Sequence, residues 1–218
     1  MGTYVNNLRL LEITTGDESG TWGTKTNTNL ELIADAFGSG TEAITTNADA
    51  HTTTIADGAA DEGRAIYLKY TGTLDSACTI TIAPNTVNKV WLIENATSGS
   101  QNIIISQGSG ANITIGNGNI AAVLTDGAGS GAAVLDALAD LELSAALTVA
   151  GAITGASTVQ GTTITATTAF VPDASDGAAL GTTSLEFSDL YLADGAVIGF
   201  GDDQEVTLTH VHNTGLLL

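Results

Sequence analysis

The hydrophobic and polar positions of this chain change their period several times. Between residues 28 and 38 the apolar residues Leu30, Ile33, Ala34 and Phe37 recur at i, i+3, i+4 and i+7. That is the period of a helix with one apolar stripe. Thr28 opens a T-N-L-E capping box, in which its hydroxyl accepts from an amide three residues on and Glu31 reaches back. Gly38 is placed to end the helix in the left-handed conformation. The spacing predicts a short helix over 28–38. Alone it is marginal, so it must dock on its own domain, on a sister chain or on a larger particle.

From Glu42 onwards the period shortens to two. EAITT, HTTTIA, RAIYLKY, ACTITIA, KVWLIEN, NIIIS, ANITI, AAVLT and AAVLDA read as short strands divided by turn sequences such as APNT, QGSG and GNGN. Strands at this spacing predict a β-sandwich or jelly roll over residues 41–137. Ile66, Leu68 and Tyr70 alternate inward, and Cys78, Ile80 and Ile82 share one strand face. Val90 to Ile93 is apolar on both faces and belongs in the middle of a sheet. The Asp-Gly-Ala tripeptides at Asp57, Asp126, Asp176 and Asp194 are turns that re-enter strands.

Beyond the sandwich the pattern thins. ALADLELSA is a connector, with room for one helical turn. TVAGAIT (Thr148 to Thr154) is then echoed by TVQGTTIT (Thr158 to Thr165). Such units are too short to bury a core alone, and they make sense where the buried partner is another copy. Residues 138–170 therefore read as a stalk, and 171–218 as an intertwined β segment. In the latter, Leu185, Phe187 and Tyr191 fall on one face, as do Val206, Leu208, His210 and His212. The end Leu216-Leu217-Leu218 is either buried in an assembly or the front of a longer polypeptide.

Charge excludes several functions. The net charge is −19, and all five basic residues (Arg9, Lys25, Arg64, Lys69 and Lys89) lie in the first 89 positions. Neither nucleic acid nor an anionic membrane is an expected partner, because phosphate contacts need Lys and Arg. No apolar run is long enough for a membrane helix, and the first residues do not read as a signal peptide. The one cysteine, Cys78, reads as a small buried hydrophobe.

Little in the chain carries chemistry. There is no P-loop, GxSxG, HExxH, zinc cluster or dinucleotide fingerprint, so neither an enzyme nor a bound cofactor is expected. His210-Val211-His212 projects two imidazoles from one strand face. Three chains would offer six, enough for a transition metal, but the plainer reading is a pair of half-exposed strand residues. His51 reads as a lone surface residue. Trp22, in a turn-rich stretch, is either a plug for a local mini-core or an anchor in a partner's pocket.

Three stretches resemble tail-fibre and related virion structural proteins of tailed bacteriophages, especially those of aquatic hosts. They are Leu8 to Gly38, the TVxG repeats, and LGTTSLEFSDLYLADGAVIGFG from Leu180 to Gly201. The resemblance implies a homotrimer on the phage particle, with the N-terminal part attached to tail or capsid proteins and distal parts directed to the host. It also makes an axial metal at His210 and His212 more plausible. Residues 1–40 would be the attachment segment, with Trp22, Leu30, Ile33 and Phe37 as anchors. The alternatives are a head fibre or decoration protein, or an adhesion module binding host-surface glycan. For a glycan site the 41–137 stretch offers only Tyr67, Tyr70 and Trp91. The expected architecture is thus mainly β: an anchor segment with one short helix, a sandwich or jelly roll, and a trimeric intertwined stalk.

Overall fold

The computed structural model describes residues 2–139, 141–144, 149, 163–172, 174, 179–201 and 205–217. The TVxG repeats lie almost wholly outside them. The chain divides into two compact units, Met1–Thr148 and Val149–Leu218. It is mainly β, with one α-helix among the described residues.

The first unit opens with a hairpin, β1 (Thr3–Val5) against β2 (Leu10–Glu12), followed by helix α1 (Trp22–Ala36). The helix begins six residues before the predicted start. Stacked turns through Glu18 and Thr21 already wind the chain, because Trp22 and Lys25 donate to the carbonyls of Glu18 and Thr21. Thr28 is therefore interior, and its hydroxyl donates back to the Thr24 carbonyl at 3.1 Å instead of capping. The far end also differs from expectation. Phe37 and Gly38 donate three residues back, to Ala34 and Asp35, and Gly38 is not left-handed.

Strands then alternate between two sheets. β3 (Ser39–Ala43), β5 (Tyr67–Thr71) and β7 (Asn88–Asn95) lie parallel in one sheet. β4 (Ala50–Thr54), β6 (Cys78–Ala83) and β8 (Ile103–Ser106) lie parallel in the other. Each pair makes one coil of fewer than thirty residues, as the pairing of Ser39 with Tyr67 and of Tyr67 with Leu92 shows. β9 (Ile113–Ile115) turns back against β8, and β10 (Ile120–Asp126) and β11 (Val134–Asp136) close the first sheet antiparallel. The orders are β11-β10-β7-β5-β3 and β4-β6-β8-β9. Two sheets do share one core, as a sandwich requires. The parallel coils, however, differ from the antiparallel Greek keys of a jelly roll.

The core is built from the inward positions of both sheets, among them Leu68, Tyr70, Cys78, Ile80, Ile82, Trp91, Ile93, Ile103 and Ile105. β7 is central, as its two apolar faces predict. Ile66, expected inward, stays partly exposed just before β5. At the corners the coils touch backbone to backbone. A Cβ on Gly72 (φ +124°) would lie 2.3 Å from the Ile44 carbonyl oxygen, so only glycine permits that stacking. Asn95, fully buried, organises the corner after β7. Its amide donates to the carbonyls of Gln101 and Ile115 at 3.0 Å, and its oxygen accepts from the amide and hydroxyl of Thr97.

In the second unit the described strands are β12 (Val197–Phe200), β13 (Val206–Val211) and β14 (Gly215–Leu217), in one antiparallel sheet of order β12-β13-β14. Residues 179–192, where alternation predicts strands, form turns and bends among the described positions. An extended segment needs a neighbouring strand for its backbone groups, and none of the described residues pairs with it there.

Candidate functional site

The four predicted anchor residues all lie on α1 or at its end. The helix packs on its own unit through a different stripe. Asn29 pins it to β2, taking the Leu11 amide at 3.0 Å and donating to the Leu11 carbonyl at 2.8 Å, and Leu32 and Ala36 are buried. Leu30 and Phe37 lie on the other side, 58% and 78% exposed. Trp22 is exposed at the first helical position, and Ile33 is half-buried. The stripe that holds the helix, Asn29 with Leu32 and Ala36, is one the i, i+3, i+4, i+7 spacing does not mark. The stripe predicted as apolar remains largely uncovered.

His51, read as alone, is not. Its Nε2 lies 2.7 Å from Glu42 Oε1 on β3, and the other Glu42 oxygen accepts from Thr53 at 2.8 Å. Thr53 also meets the buried Tyr70 hydroxyl at 2.6 Å. Burial holds the Tyr70 phenol well above its ordinary range. These side chains are the inward positions of the first coil, so the core ends at that edge in a satisfied polar layer. The role is a cap on the stack.

A second cluster surrounds the 3-10 turn Glu62–Arg64. Arg64 is fully buried and donates from Nη2 to the carbonyls of Ala56 and Ala59 and to Asp61, at 2.7, 3.0 and 2.8 Å. Its Nε and Nη1, and Asp61 Oδ1, have no hydrogen-bond partner. Trp91 Nε1 donates to the Gly63 carbonyl at 2.8 Å. Lys89 donates to the carbonyls of Arg64 and Ala65 and lies 4.5 Å from the Trp91 ring centroid. Burial lowers the Lys89 pKa to about 8. A cavity of about 380 Å³ opens beside this turn, lined in part by Asp35, Asp61 and Glu62. The cluster ties the turn to β7 through Trp91 and Lys89.

In the second unit His210 and His212 share one carboxylate. Asp194 Oδ1 lies 3.3 Å from His210 Nδ1, and Oδ2 lies 2.8 Å from His212 Nδ1. The hydrogen bond to His212 favours the Nδ1–H tautomer of that ring, with its Nε2 left as an acceptor. Asp194 belongs to the fourth Asp-Gly-Ala turn, and Gly195 adopts φ +77°. Sequence reading assigned that aspartate turn chemistry alone. Among the described residues no group of three or more His, Cys, Asp or Glu is placed to hold a metal ion.

The aromatic residues weighed for glycan binding are also placed. Trp91 and Tyr70 are fully buried, and Tyr67 is half-buried with its hydroxyl donating to Glu94. No described helix is long and apolar enough to cross a membrane. Comparison with protein-family models, with curated proteins and with solved structures gave no match.

Proposed function

We propose that this chain is a structural protein of a phage particle, a homotrimeric fibre segment attached through its N-terminal part. The observation that carries this reading is the state of the second unit. Phe170, Val171, Leu180, Leu185, Phe187 and Tyr191 are all exposed, and none of the unit's described residues is buried. Apolar residues left in water at that density call for a covering surface. A strongly acidic chain with no further basic residues past Lys89 is poorly suited to nucleic acid or anionic lipid. Sister chains, each with the same deficit, are the simplest source. The sequence resemblance to tail fibres supports the same reading.

Attachment to tail or capsid proteins is assigned to the uncovered stripe of α1, with Trp22, Leu30, Ile33 and Phe37 as anchors. A Phe37→Asp variant should keep the fold of the first unit and lose particle attachment. Normal decoration by that variant would overturn the anchor assignment. Light scattering on the purified chain tests the trimer directly, and a monomer would overturn it. His210 and His212 would hold a transition metal only where three copies combine their rings. Metal analysis near one ion per three chains would support this role, and metal-free trimers would exclude it.

A further inference from the structure

The two sheets of the coil share a core but present opposite outer faces. On the four-stranded sheet the outward positions are mostly threonine: Thr52 and Thr54 on β4, Thr79 and Thr81 on β6, Thr114 on β9. Such a face is suited to water. On the five-stranded sheet the outward positions of β7, β10 and β11 form an apolar patch, since Leu92 pairs with Ala122, Val90 with Leu124, and Leu124 with Leu135, whereas β3 and β5 turn mostly polar side chains outward. Ile120 extends it, paired with Glu94. Leu92 is 42% and Ile120 56% exposed. A central strand that is apolar on both faces has the composition of one buried on both faces, and β7 is buried on only one.

Charge indicates what covers the patch. The chain carries −19, so copies repel one another wherever carboxylates are bare. Around the apolar patch the carboxylates are engaged: Lys69 lies 3.7 Å from Glu94, which also accepts from the Tyr67 hydroxyl, and Asp126, at the far end of β10, accepts from the amides of Ala128 and Ala133. A basic partner would be drawn to the acidic remainder of the molecule instead. An apolar patch flanked by engaged carboxylates is a surface on which two acidic copies can meet. The chain also leaves this sheet from its edge strand β11 directly into three exposed leucines, Leu138, Leu141 and Leu143.

We infer that the outer face of the five-stranded sheet, with the leucines that follow β11, is a self-association surface occupied by a second copy of this chain. The inference rests on the proposed assembly and names which face of the first unit takes part. The sheet patch alone is on the order of 400 Å², about half of what each partner buries in a standard interface. The leucines and the tethering of copies through their second units must supply the rest. Tethering turns a weak contact into an intramolecular one.

The experiment uses the full chain. Cys78 is buried, so an introduced cysteine is the reactive thiol. Leu92→Cys and Thr52→Cys are compared for their rate of reaction with a maleimide, with stoichiometry read in parallel by light scattering. In the assembled chain the thiol at position 92 should react at least about tenfold more slowly than that at position 52. Equal rates in an assembled trimer would overturn this inference and leave the trimer standing. A protected position 92 in a dimer would support the face and overturn the trimer, and a monomer with equal rates would overturn both. As a second variant, Leu92→Asp points out of the fold and should keep the circular-dichroism spectrum. It should raise the concentration at which copies dissociate by at least about tenfold, and an unchanged value would count against the face.

Discussion

Two regions of this molecule are written in the same alphabet of alanine, threonine, glycine and branched aliphatics, yet they behave differently. In residues 1–148 the alternating strands are laid in two sheets, and every inward position finds another across the gap. In residues 149–218 comparable alternation leaves Leu185, Phe187 and Tyr191 in water, the last 90% exposed. Alternation states which side chains avoid water. It becomes a core only where the same chain supplies a second layer. The first unit does so by crossing between sheets at each step from β3 to β8, whereas the described residues of the second offer one small three-stranded sheet.

The contrast can be tested by substitutions of graded effect. Trp91→Ala should be the most damaging, removing about 3–5 kcal/mol from the first unit in denaturant unfolding. Tyr191→Ala should cost the chain's own fold less than about 0.5 kcal/mol, and any larger effect should scale with protein concentration as an interface would. If Tyr191→Ala matched Trp91→Ala in dilute monomer, the contrast between the units would collapse. Asn95→Ala should cost roughly 1–3 kcal/mol, because it strips partners from the buried carbonyls of Gln101 and Ile115; cooperative thermal melts would measure it.

A smaller effect is expected at Lys89. Its folded pKa, about 8, is below the roughly 10.4 of an unfolded lysine, chiefly because burial disfavours the ammonium. Between those values the unfolded chain binds more protons, so stability should rise with pH from about 8 to about 10. Lys89→Met should flatten that rise in urea titrations at stepped pH, and a retained rise would remove Lys89 as its source. Least of all, Asp194→Asn should change stability by less than about 0.5 kcal/mol, since its contacts with His210 and His212 are exposed. The imidazole resonances of both histidines should nonetheless move in the NMR spectrum of the variant, and a change confined to one ring would deny that they share the carboxylate.

Much of the first unit was legible. The strands predicted from His51 to Asp136 are present, the one predicted over Glu42–Thr46 lies earlier at Ser39–Ala43, and Leu68, Tyr70, Cys78, Ile80 and Ile82 point inward as their period requires. The Asp-Gly turns at Asp57, Asp126 and Asp194 are followed by glycines of positive φ. Other features were hidden because their causes lie far off in sequence. The helix turns the stripe of Asn29, Leu32 and Ala36 inward because Asn29 finds the backbone of Leu11. His51 is engaged because β3 and β4 face one another. His210 and His212 were legible as a pair, but Asp194 was not, since a turn aspartate looks the same whether or not an imidazole returns to it.

The sequence alone determined the kinds of element, most of the strand faces that shun water, the turn chemistry and the strong acidity. Local steric preference and hydrophobic period are properties of a few neighbouring residues, and they can be read there. The tertiary structure decided that the strands run parallel in successive coils, that the first coil closes in a polar cap, and which stripe of α1 and which sheet face stay uncovered. Those outcomes depend on pairings between distant residues, and a pattern of burial names no partner.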